Sequence, residues 1–159
     1  MSDRLGFDED RAWRDLIRIA TILPRVLDAQ LRRRTPLTLS EFGVLLHLSE
    51  APDGEMRMSD IAAQIGLSPS RITRVVADMR THGLVEYRRD HEDARSNITR
   101  ITDHGRQELA QAYLVQVAGA RELIFDHADA DEVARLADLL DGVVRRLRVA
   151  EGAAPAPTE

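Results

Sequence analysis

The chain contains no cysteine, which excludes disulfides, a cysteine-ligated zinc and any thiol nucleophile or redox sensor. It contains no lysine either. All 22 basic residues are arginine, so a lysine nucleophile is excluded and every cation is a forked, permanently charged guanidinium suited to phosphate and guanine. No serine sits in a G-x-S-x-G turn and no glycine-rich loop is present to cradle phosphates, so neither an enzyme nor a cofactor is expected. No run of about 18 apolar residues occurs, and "MSDRLGFDEDRAW" lacks the basic-then-apolar order of a secretory signal, so the expectation is a soluble cytoplasmic protein with no membrane partner.

What is present is 159 residues, 43% hydrophobic and 31% charged, enough for one well-buried core. A single domain over residues 1–150 is expected, with "EGAAPAPTE", residues 151–159, as a disordered tail. The formal net charge is −5, but it is unevenly placed: Ser68 to Arg100 carries net +2 and the remainder net −7. Cationic charge is therefore local, which points to a local polyanionic partner rather than to solubility.

Apolar residues at Trp13, Leu16, Ile17, Ala20, Leu23, Leu27 and Leu31 predict a first amphipathic helix over residues 8–34, with Pro24 expected to kink or break it near Ala20 to Leu23. In "LTLSEF", Thr38 reads as an N-cap, Glu41 as its capping-box partner and Leu37 with Phe42 as a hydrophobic staple; this second helix should run to about Ser49. "APDGE" is a turn. "MSDIAAQIG" makes a short third helix with Ile61, Ala62 and Ile65 inward and Gly66 ending it.

The fourth helix starts at Ser68 as N-cap with Pro69 at its first position. Ile72, Val75, Val76 and Met79 form its apolar stripe; Ser70, Arg74, Ala77 and Thr81 point away from that stripe, with Arg71 and Thr73 flanking. Gly83 stops it. "LVEYRR" and "NITRI" read as two strands joined by the polar loop "DHEDARS". Thr102 caps a long fifth helix to about Phe125, and Asp129 with Glu132 starts a sixth. There Val133, Leu136, Leu140, Val143 and Leu147 form a narrow seam suited to a second copy of the chain.

A short helix, a glycine turn, a helix with a polar outward face and then a hairpin is the order of a winged helix-turn-helix. The fold class is thus mainly α with a small β-hairpin wing. The fourth helix suits a major groove about 12 Å wide, and the hairpin tip the adjoining minor groove of double-stranded DNA. Arg71 and Arg74 either fork onto guanine or pair with phosphate; Ser68, Ser70 and Thr73 sit near the helix N-terminus, where the dipole favours anions. Arg88 and Arg89 lead into the tip and are read as further DNA contacts. Asp93 is read as orienting the loop and Arg95 as entering the minor groove.

"LTLSEFGVLLHL", "MSDIAAQIGLSPSRITRVVADMRTHGLVEYRRDHEDARS" and "ITDHGR" together resemble the MarR family of bacterial transcription regulators over roughly Leu37 to Ala110. The resemblance implies residues 38–101 as the DNA-binding region and residues 8–34 and 103–148 as dimerisation helices. It also implies a homodimeric repressor on a roughly palindromic operator, released by a small phenolic or other anionic effector. Asp93 and Arg95 match the family's wing Asp-x-Arg; Ser96 stands where many members carry a second arginine.

Rival readings are simpler. The arginine face of the fourth helix would otherwise be a solvated surface, the loop Asp90, His91, Glu92 and Asp93 a metal site without a completing cluster, and the whole a winged-helix protein-interaction module. His47 is a candidate effector residue, with Trp13 and Tyr113 able to line a pocket beside it. Core packing is the stronger reading of Trp13, and the other histidines suit surface or capping roles.

Overall fold

The computed structural model describes residues 4–89 and 97–153. They form six α-helices and three strands, with short 3-10 turns at Pro52–Gly54 and Phe125–His127: α1 (Phe7–Arg34), α2 (Leu39–Glu50), β1 (Glu55–Arg57), α3 (Met58–Ile65), α4 (Pro69–Thr81), β2 (Val85–Arg89), β3 (Asn97–Ile101), α5 (Asp103–Leu123) and α6 (Ala130–Ala153). The chain divides into two compact units, Met1–Val117 and Ala118–Glu159. Among the described residues no helix is long and apolar enough to cross a membrane.

Within the first unit, α2, α3 and α4 close over an antiparallel sheet of order β1-β3-β2. The inward stripes of the helices supply the core: Leu45 and Leu48 from α2, Ile61 from α3, and Ile72, Val76 and Met79 from α4 are at most 1% exposed. The α2 start is built as its sequence requires. Glu41 N–H donates to Thr38 Oγ1 at 3.2 Å and Thr38 N–H donates to Glu41 Oε2 at 2.7 Å, while Leu37 and Phe42 are both buried. Gly66 closes α3 at φ 69°, the left-handed conformation that glycine adopts without a Cβ clash.

Thr102 ties the root of the wing together. Its hydroxyl lies 2.6 Å from the Gly83 carbonyl, to which it donates, and it accepts from Gly105 N–H at 3.0 Å, so the end of α4, the start of β2 and the start of α5 share one side chain. Gly105 belongs to this junction because a Cβ there would run into the Leu84 carbonyl oxygen.

Four expectations are corrected. α1 runs unbroken through Pro24, because the one missing donor deprives only the carbonyl of exposed Ala20, which water can satisfy. Trp13 is 55% exposed and not part of the core of this chain; only the second half of α1, ending on fully buried Leu31, packs inward. Glu55–Arg57 is a strand that pairs with β3, in register Glu55 to Arg100 and Arg57 to Ile98, so the wing sheet has three strands rather than two. α6 continues to Ala153, past the expected end at residue 148; residues 154–159 of the expected tail lie outside the described residues.

In the second unit, Asp129 and Glu132 form the expected capping box at 2.9 Å in both directions. His127 Nε2 lies 2.9 Å from the Glu122 carbonyl at the end of α5, a capping role. Along α6 the seam residues Leu136, Leu140 and Leu147 are exposed.

Candidate nucleic-acid interface

α4 shows one face to the core and the other to solvent. Ser68, Ser70, Arg71, Thr73 and Arg74 are all exposed. Ser68 holds the N-cap position, but its hydroxyl makes no cap hydrogen bond and lies 3.3 Å from Ser70 Oγ instead. The first-turn N–H groups of α4 are thus not taken by a side-chain cap, which leaves donors and the positive dipole end available to an anion. Thr73 Oγ1 donates to the Pro69 carbonyl at 2.8 Å, so outward it offers an acceptor and a methyl group.

Arg71 and Arg74 make no ion pair among the described residues. The contrast with α1 is informative: there Arg14 and Arg32 are held by Asp10 and Asp28, each at 2.7 Å. The first turn of α4 carries no acidic residue, so its arginines keep their full cationic field. Asp78, the helix's one carboxylate, sits further along, where its backbone carbonyl accepts from Thr81 Oγ1 at 2.7 Å and lies 2.9 Å from His82 Nδ1. Arg80 stacks over Tyr87 with its guanidinium carbon 4.8 Å from the ring centroid, joining α4 to β2. Burial pushes the Tyr87 hydroxyl above its ordinary range, against the pull of Arg80.

On the wing, sequence alternation places Met56, Val85, Tyr87, Thr99 and Ile101 toward the core and the charged residues outward. Arg88 Nη2 donates to Glu55 Oε2 at 2.6 Å, and Arg100 Nε lies 3.7 Å from Glu55 Oε1. The Arg88 hydrogen bond, outweighing the cost of burial, holds the Glu55 carboxyl below its ordinary range. Arg88 is thus engaged within the sheet. The side chain of Arg89, and Asp93, Arg95 and the rest of the tip, lie outside the described residues.

One residue that the sequence did not single out anchors the reading helices to α1. Asp28 accepts from Leu39 N–H, the first residue of α2, at 2.8 Å while holding Arg32. Burial raises the Asp28 pKa, but the Leu39 N–H and Arg32 together bring it below its ordinary value. No spacing rule signals a cap supplied from eleven residues upstream. Beside it, an open groove of about 460 Å³ is lined by Arg25, Arg32, Ser40, Arg71 and Val75 among others. The proposed effector residues are not in it. Trp13 and Tyr113 are 55% and 51% exposed, and His47 faces Glu50 at 3.8 Å.

Residues 35–96, from the end of α1 into the wing, match the model of the MarR family. Over these residues the chain is similar to the MarR family. Solved structures similar to it include Sco3205 of Streptomyces coelicolor, a MarR family transcriptional regulator in complex with DNA. That protein is 29% identical, with 99% of this chain and 95% of that one covered at a TM-score of 0.79. The M. tuberculosis transcriptional regulator MosR, also in complex with DNA, is 28% identical over 86% of this chain and 98% of its own, with a TM-score of 0.63. Among curated proteins, the HTH-type transcriptional regulator YdgJ of Bacillus subtilis is 25% identical over 116 residues, 73% of this chain and 69% of its own. The winged helix and its terminal helices are therefore similar in fold to those of these MarR family regulators.

Proposed function

We propose that this chain is a homodimeric repressor of the MarR family in which the α4 helices of two copies enter successive major grooves of a roughly palindromic operator. The observation that carries this reading is the outward face of α4, where Arg71 and Arg74 stand exposed and without ion pairs among the described residues. Guanidiniums left unneutralised on a groove-sized rod are the arrangement that DNA contact uses. The DNA complexes of Sco3205 and MosR support it. Ser68 and Ser70 serve as phosphate donors at the helix start, and Arg95 reaches the minor groove from the wing, oriented by Asp93.

Dimerisation is supported by apolar residues that a lone chain leaves open to water: Trp13, Ile17 and Ile22 on α1, and Leu136, Leu140 and Leu147 on α6, are each more than a third exposed. Release by a small anionic effector is supported by the groove that Arg71 shares with α1 and α2. A ligand bound there would compete for a DNA-facing side chain, and by linkage the operator would weaken ligand binding equally.

Selection of genomic fragments by the purified protein tests the reading. The expected result is one enriched motif with two-fold symmetry and half-sites about one helical turn apart. Recovery of fragments without a common motif would remove the operator from the account.

A further inference from the structure

The sheet has an outward face whose charges the DNA reading leaves unexplained. Register puts Glu55, Arg57, Glu86, Arg88, Ile98 and Arg100 on it. Arg88 stands on β2 and Glu55 on β1, with β3 between them and a register offset of two residues, so their backbones are more than two strand spacings, about 9.6 Å, apart. Even so, Arg88 Nη2 comes to 2.6 Å from Glu55 Oε2. The Arg88 side chain therefore reaches across β3 to Glu55. Glu55 is the sheltered member of the group: its side chain is 17% exposed, against 44% for Arg88 and 51% for Arg100. Both of its oxygens face guanidiniums.

We infer that Glu55 is a positioning residue that limits sequence-independent affinity for DNA, by drawing Arg88 across the sheet and so withholding a cation from phosphate contact. This inference rests on the proposed DNA binding. Phosphate neutralisation supplies nearly all non-specific affinity and carries no sequence information. An arginine beside the wing tip that could reach phosphate would add to this non-specific affinity unless it is held elsewhere. Glu55 holds it from a strand that belongs to the fold rather than to the tip.

Salt titration of the full-length protein on random-sequence duplex DNA tests the inference, with circular dichroism confirming that each variant is folded. E55Q is expected to steepen the dependence of log K on log salt by about 0.9, equivalent to a roughly threefold greater loss of affinity between 50 and 200 mM salt. R88Q is expected to leave the slope of the native chain unmoved. The double variant E55Q/R88Q is expected to return to the native slope. An unchanged slope in E55Q, a shallower one in R88Q, or a double variant as steep as E55Q would each overturn the inference. If E55Q does not fold, the R88Q slope decides alone. A native chain with no salt-dependent binding overturns the DNA-binding reading and this inference with it. A native chain that binds with a clear slope, beside an unmoved E55Q, overturns this inference only.

Discussion

Single side chains decide whether α4 reads bases or merely holds phosphate. Arg74 is exposed and unpaired among the described residues, so Arg74→Ala is expected to cost roughly 1 to 3 kcal/mol on the selected operator and to relax the preference at one base position. Competition binding across a set of single-base operator variants measures this; an equal loss on every sequence would make Arg74 a phosphate contact. At the wing root, Gly105→Ala would drive a methyl group into the Leu84 carbonyl, and chemical denaturation should show a loss of about 1 to 3 kcal/mol. Glu55 carries a pH signature. Arg88 holds its carboxyl below the ordinary 4.5, so its stabilisation is complete above that value and is lost as pH falls through the lower folded-state pKa. Denaturation midpoints from about pH 5 to about pH 3 should therefore fall more for the native chain than for E55Q.

At the scale of elements, the capping boxes and apolar stripes were legible because each is a local bargain between residues three or four apart. Thr38 and Glu41 show the rule: Thr38→Ala removes the acceptor for Glu41 N–H, and thermal or chemical unfolding should register a loss of about 1 kcal/mol. The strands of the hairpin were legible through β-branched and aromatic residues. β1 was not. Glu55, Met56 and Arg57 have no strand preference of their own and form a strand only because β3 offers them a partner edge. The unbroken α1 has the same lesson in reverse, since a proline rule that describes an isolated helix gave way to a ladder long enough to lose one bond. Asp28 was invisible for a third reason: it caps a helix other than its own. The candidate site was correspondingly legible on α4, where outward residues follow from periodicity. It was less so on the wing, where the partner of Arg88 comes from the overlooked strand.

For the whole molecule, the account requires two copies of the chain. α1 and α6 expose apolar residues that water disfavours, and a second copy would bury them. Replacing both Leu136 and Leu140 by Glu should shift the protein from dimer to monomer in sedimentation equilibrium and abolish operator binding, because one α4 alone supplies half the contacts. A variant that remains dimeric would move the interface elsewhere. The local net +2 between Ser68 and Arg100, in a chain of net −5, gives the central claim its most direct measurement: the affinity of the purified protein for duplex DNA as a function of salt. The account predicts tight binding at low salt with log K falling steadily against log salt, at about 0.9 for each phosphate neutralised, and a shallower slope when Arg71 and Arg74 are both replaced by Ala. No binding to duplex DNA at low salt, or a slope indifferent to those two arginines, would contradict it.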